Sequence, residues 1–214
     1  MNSKILFWLG PDYTHYCISH YLQKLYDCDL YGIIDIPNKQ KTFFEKQNLV
    51  NFKKTWYIFD NILKNHKSNM ENLVKFEKNY GINLWNLAIN ERHFYRFNLE
   101  KFSDEQILSI LEQGCTLFEK IIDEIKPDFL ITKWASRHYH QLLIDLCVKK
   151  GVKVIQLGQP KIGYKMLISQ DPSKIDGVIN LNHVTTKNRS FEELQKFIKK
   201  FNMTKHQKAF DTKK

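Results

Sequence analysis

The feature that most constrains this chain is an unbroken apolar run, Ile5-Leu6-Phe7-Trp8-Leu9, that stops at Gly10-Pro11. A strand with one face in water alternates apolar and polar residues. A continuous run closed by turn residues reads instead as a strand buried on both faces, the hallmark of a parallel sheet covered by helices. Pro11-Asp12-Tyr13-Thr14 has turn and cap chemistry. A helix is predicted from Thr14 to Tyr26, with Cys17, Ile18, Tyr21, Leu22 and Leu25 on one face. Strands are predicted at Asp29 to Ile34, closed by Asp35-Ile36-Pro37-Asn38, and at Thr55 to Phe59.

The middle of the chain is helical. Glu71 to Tyr80 ends at Gly81, a residue suited to a helix C-cap. A long helix is predicted from Asp104 to Ile125, opened by the capping-box pair Ser103 and Gln106 and stopped by Lys126-Pro127. Alternation then returns, with a strand at Asp128 to Thr132, a helix at Arg137 to Lys150 before Gly151, and a strand at Val152 to Leu157. A short strand is predicted at Lys165 to Ser169, and a last helix follows a second capping box, Ser190 with Glu193. Strand, helix, strand at this spacing predicts an α/β fold, a Rossmann-like parallel sheet flanked by helices. The expected organisation is one such domain over residues 1–180, then an amphipathic helix and basic tail over residues 181–214.

A length of 214 residues suits one domain with an extension, and 43% hydrophobic residues exclude a disordered chain. The net charge of +10 raises nucleic acid as a partner. The make-up of that charge argues against it, because Arg92, Arg96, Arg137 and Arg189 are the only arginines and Arg is the better fork for phosphate and base edges. Residues 187–214 hold nine Lys or Arg and three Asp or Glu, so the tail carries +6 of the +10 and is the segment suited to an anionic membrane surface. Cys17, Cys28, Cys115 and Cys147 form no C-x-x-C pair, so no metal site is expected and a reducing compartment fits. The apolar run at residues 5–9 is too short for a signal-peptide core or a membrane span, so a cytoplasmic location is expected.

In parallel sheets, ligands bind outside the carboxyl ends of the strands. That rule selects the loops at 10–15, 35–39, 59–61, 132–137 and 157–163, with Gly10, Asp12, His15, Lys133, Arg137, His138, Gln159 and Lys161 among their residues. The pocket expected there suits a polar or anionic ligand. The first loop lacks G-x-G-x-x-G, so no dinucleotide cofactor is expected. Asp12 and Thr14 read first as helix caps. Trp134 is placed either to stack on a sugar or ring or to join the core. His138 and His140 stand two apart and face different ways on a helix, so a metal pair is not expected.

Three stretches carry a resemblance. They are Tyr80 to Arg92 (YGINLWNLAINER), Ile125 to Thr132, and Gly151 to Val154 leading to Ile168-Ser169-Gln170-Asp171-Pro172. They resemble proteins of capsule and surface-polysaccharide biosynthesis that are similar to the N-terminal lobe of two-lobed GT-B glycosyltransferases. The resemblance implies an acceptor-side lobe using a nucleotide sugar and a glycan acceptor, without metal or other cofactor. It implies His15 or Asp12 as the base and Arg92, Lys133 and Arg137 against anionic groups, with Gly10, Trp134 and Gln159 in the same pocket. A donor-binding lobe would follow residue 200, where fourteen residues stand, so the enzyme is expected to need a partner lobe or a homodimer. The alternatives are a sugar-nucleotide epimerase-like enzyme and a non-catalytic binding module with a basic docking tail.

Overall fold

The apolar run forms β1 (Ser3–Leu9), the middle strand of a sheet. In the computed structural model, β2 (Cys28–Ile34), β3 (Phe52–Tyr57), β4 (Phe129–Lys133) and β5 (Lys153–Gly158) complete the order β3-β2-β1-β4-β5. The pairings β1–β2, β2–β3, β1–β4 and β4–β5 are all parallel, so the expected Rossmann-like α/β sheet is present. The structure describes residues 2–36, 38–63, 66–91, 94, 102–158, 166–171 and 190–200. These fall into two compact units, Met1–Leu157 and Gly158–Lys214. Among the described residues, no helix is long and apolar enough to cross a membrane.

β1 is buried on both faces because its side chains alternate between two cores. Leu6 and Trp8 join one core with α4 (Met70–Tyr80), α5 (Leu84–Ile89), α6 (Asp104–Ile125) and α7 (His138–Lys149). Ile5, Phe7 and Leu9 join the other, with Tyr16 of α1 (Thr14–Leu25) and Phe44 of α2 (Asn38–Lys46). Asp128 fixes the β1–β4 register. Its carboxylate accepts from the Lys4 N–H at 2.8 Å, and its own N–H donates to the Lys4 carbonyl at 2.9 Å.

The helix ends follow their cap residues. Ser103 and Gln106 form a reciprocal capping box at α6. Gly81 takes φ 60° at the end of α4, a left-handed conformation cheap for glycine. Asn69 accepts from the N–H groups of Glu71 at 3.0 Å and Asn72 at 3.3 Å. Replacing Asn69 with Ala is expected to cost about 1 kcal/mol. Urea unfolding of the variant checks this, and an unchanged midpoint would show that water replaces the cap without loss.

Two expectations are corrected. The third strand runs from Phe52 to Tyr57, and residues Ile58–Asn61 form a short helix, α3, because Ile58 turns into the core and Asn61 Nδ2 donates to the Tyr57 carbonyl at 2.7 Å. The face of α1 is also rotated from the one expected. Its buried residues are His15, Tyr16 and Ser19, whereas Tyr21 and Leu25 are 64% and 71% exposed. Ser19 tolerates burial because its hydroxyl donates to the Tyr16 carbonyl at 2.7 Å.

The second unit contributes β6 (Leu167–Ser169) and α8 (Phe191–Lys200). Ser190 and Glu193 cap α8 reciprocally, at 3.1 and 3.2 Å. Residues 201–214 of the basic tail lie outside the described residues.

Candidate functional site at the carboxyl edge

β1 and β4 end side by side, and the loops that leave them meet. Tyr13, at the start of α1, holds φ 55°. That conformation is costly for a residue with a Cβ and persists where its surroundings enforce it. Here the Tyr13 ring packs against Phe43 at 4.8 Å, and Asp12 accepts from the Thr14 N–H at 3.0 Å. Asp12 thus braces the turn before α1, but the N-cap position falls to Tyr13, and Thr14 is the first helical residue, so neither Asp12 nor Thr14 is the cap the sequence suggests. The other Asp12 oxygen lies 3.7 Å from Lys133 Nζ in a partly exposed pair, a geometry worth little to stability. Gly10 makes room for Lys133, since a Cβ there would stand 3.3 Å from Nζ.

His15 lies under this loop, 3% exposed, with no hydrogen-bond partner at either ring nitrogen among the described residues. Burial pushes its pKa down. The Thr132 carbonyl and Asp12 pull it back, and Lys133 pushes it further down. The carbonyl is near enough to be felt electrostatically but makes no hydrogen bond of ordinary geometry. Thr132 commits its hydroxyl instead to His140 Nε2, at 2.5 Å. The His140 ring stacks on Trp8 at 4.3 Å, with the planes 10° apart. Burial, then Lys133, His15 and Arg137, push the His140 imidazole down to about 3, so it is neutral at physiological pH.

A second cluster joins the ends of β2 and β4. Tyr139 donates to Asp35 Oδ1 at 3.0 Å and accepts from Arg137, whose Nη1 is 3.6 Å from the same carboxylate. Burial pushes the Asp35 carboxyl up, against the pull of Arg137, Tyr139 and Lys133. Beyond Arg137, Glu91 reaches across from the end of α5. Its Oε2 accepts from both the backbone N–H and Nδ1 of His138, each at 2.8 Å. Glu91 therefore caps α7, which has no side-chain cap of its own at Arg137.

The structure brings Gly10, Asp12, His15, Lys133 and Arg137 to one edge of the sheet. Trp134 stands half-buried beside them, its Nε1 without a partner among the described residues. Arg92, Gln159 and Lys161 lie outside the described residues. Sequence reasoning placed Thr132 in a selected loop and weighed His140 only as half of a metal pair, and it gave Trp8, Tyr139 and Glu91 no role in the site. The i, i+2 spacing of His138 and His140 does signal two different surroundings. Nothing local signals Glu91, which is 47 residues from its partner. The Cys115 and Cys147 thiols are buried and pushed up in pKa, Cys147 to about 12, as befits small hydrophobes. Among the described residues, no three His, Cys, Asp or Glu side chains gather as metal ligands.

The fold defines an α/β protein of Rossmann-like type. No protein-family model matches the chain, and no curated protein does. Among solved structures it is similar to the tyrosyl-tRNA synthetase of Archaeoglobus fulgidus in complex with L-tyrosine, at 10% identity and a TM-score of 0.37. The match covers 71% of this chain and 52% of that one, so the chain spans about half the length of that structure.

The resemblance to capsule glycosyltransferases, and with it the placement as one lobe of a GT-B architecture, is therefore corrected. No protein-family model and no curated protein supports it. The stretch that carried it, Tyr80 to Arg92, has a local explanation over its described part. Gly81 ends α4, Asn83 caps α5 by accepting from the Asn86 N–H at 2.7 Å, and Leu84 and Ala88 fill the core. Residues that punctuate and pack helices recur in many α/β chains without a shared function.

Proposed function

We propose that this protein binds a small ligand bearing an anionic oxygen, a phosphate or carboxylate, at the carboxyl edge of β1 and β4. The observation that supports this reading is His15. A buried polar atom is satisfied in most proteins, and among the described residues neither His15 ring nitrogen has a hydrogen bond of ordinary geometry. A neutral imidazole offers one N–H donor and one acceptor, and an adjacent anion would raise its pKa and favour the doubly donating form. Lys133 supplies a cation at the same edge, and Arg137 a second one, already oriented by Asp35. The placement agrees with the general habit of parallel sheets.

Nucleotide sugars belong to this ligand class through their diphosphate. Glycosyl transfer and sugar-nucleotide epimerisation would both start from such a complex.

The test is isothermal titration of the purified chain with pyrophosphate, ADP, UDP, UDP-glucose and glucose 1-phosphate. At least one is expected to bind, and Lys133→Met is expected to weaken it at least tenfold, about 1.4 kcal/mol. A panel without binding, or a Lys133→Met variant that binds like the parent, overturns the reading. Turnover of a bound nucleotide sugar would make the domain an enzyme, and binding without turnover would make it a recognition module.

A further inference from the structure

The second unit carries an amphipathic helix whose apolar side is open. Every α8 side chain that the structure describes is exposed, Phe191 at 71% and Leu194 at 42%. We propose that α8 is a docking helix for an anionic lipid surface. It lies in the plane of the headgroups, with Phe191 and Leu194 dipped toward the acyl chains and its lysines against the lipid phosphates.

The sequence sorts the helix into two sides. At 3.6 residues per turn, the positions of Phe191, Leu194, Phe197 and Ile198 fall within about a third of the circumference. The positions of Glu192, Glu193, Gln195, Lys196, Lys199 and Lys200 all fall on the remainder. The charges are also sorted along the axis. The two acids stand in the first turn, where the helix N-terminus favours them. Glu193 is committed to the cap, accepting from the Ser190 N–H at 3.1 Å. The lysines stand toward the other end. Lys196 and Lys199 are exposed, and neither is held by a carboxylate among the described residues. The sequence extends the positive charge on both sides of α8, with nine Lys or Arg against three Asp or Glu over residues 187–214.

An anionic bilayer meets both sides of this helix at once. Phe and Leu on one side and Lys on the other is the pattern of helices that lie at the membrane interface. Each lysine near the surface adds attraction to anionic lipid. Nucleic acid would satisfy the lysines but leave Phe191 and Leu194 in water. A second copy of this chain would cover the apolar side but set two basic segments against each other. A helix of ten residues offers a short apolar stripe, so docking is reversible and depends on salt.

The experiment is flotation of the full chain with vesicles of phosphatidylcholine alone and of phosphatidylcholine mixed with phosphatidylserine. Binding is expected to the mixed vesicles only, and to weaken as salt rises. Phe191→Ser, and separately the pair Lys196→Gln and Lys199→Gln, are expected to weaken it at least tenfold, about 1.4 kcal/mol. Both variants are expected to keep the urea midpoint of the parent, because the replaced side chains are exposed. The pair Lys75→Gln and Lys78→Gln removes the same charge from exposed positions of α4 and is expected to leave vesicle binding unchanged. No binding to the mixed vesicles, equal binding to neutral ones, or binding indifferent to Phe191 overturns the proposal. An equal loss in the α4 variant does so too, since net charge alone would then be the cause. A lowered urea midpoint in Phe191→Ser would place that side chain in the fold rather than against lipid. Tighter binding to a mixed-sequence DNA duplex than to the vesicles, or a dimer that Phe191→Ser dissolves, would assign the helix to those partners instead.

Discussion

Trp8→Ala is expected to destabilise the protein by about 3–5 kcal/mol, the usual range for deleting a large buried aromatic side chain. Trp8 is fully buried in the middle strand. Its indole meets Phe118 of α6 edge-on at 6.4 Å and Tyr139 of α7 at 5.8 Å, and stacks on His140 at 4.3 Å. Truncation would open a cavity that α6, α7 and the sheet share and could not all collapse into. It would also release His140, which holds Thr132 beside His15, so ligand binding at the carboxyl edge should weaken along with stability. Trp8→Phe keeps most of the ring contact and should lose clearly less. Urea unfolding checks both variants. A Trp8→Ala loss below about 1.5 kcal/mol would mean that the core there is far more plastic than its packing indicates.

Acid is expected to unfold this protein through its buried histidines. An unfolded histidine titrates near 6.5, whereas burial pushes folded His140 down to about 3 and pushes His15 in the same direction. Between those limits the unfolded chain binds protons that the folded chain refuses. The stability from these groups is complete above about pH 6.5 and is lost as the pH falls toward 3. For His140 the loss over that span is about 5 kcal/mol. Asp35 works the other way. Its raised carboxyl pKa gives stability that is present at low pH and disappears as the pH rises through its folded value, so it blunts the acid slope without reversing it. Urea midpoints at pH 7.5, 5.5 and 4.5 should fall steeply in the parent and less steeply in His140→Gln, whose amide can still meet Thr132. Parallel slopes in the two proteins would remove His140 as the cause.

The sheet is legible in the sequence because its strands are continuous apolar runs. Leu6 and Trp8 face one core while Phe7 and Leu9 face the other, so no polar residue interrupts β1. The helix caps at Ser103 and Gly81 are legible because each has a local chemical reason. The face of α1 is less so. Ile18 and Leu22 do pack against the core, but Tyr21 and Leu25 are apolar yet exposed and His15 and Ser19 polar yet buried, so periodicity alone places the face only in part. The candidate site is half legible. The loop rule finds Asp12, His15, Lys133 and Arg137 without knowing the pairing order. It does not find Glu91, Tyr139 or Trp8, whose partners are joined only by the packing of helices against the sheet.

The order of the strands has a consequence during synthesis. β1 is made first and stands in the middle, yet the β4 residue that closes one of its edges, Asp128, comes 124 residues after Lys4. At roughly 5–20 residues per second, a ribosome needs roughly 6–25 s to supply it. For that interval the nascent chain carries a bare apolar strand edge in water, the kind of template that pairs with other chains. The hazard of aggregation therefore belongs to translation, while the finished molecule keeps the same edge hydrogen-bonded.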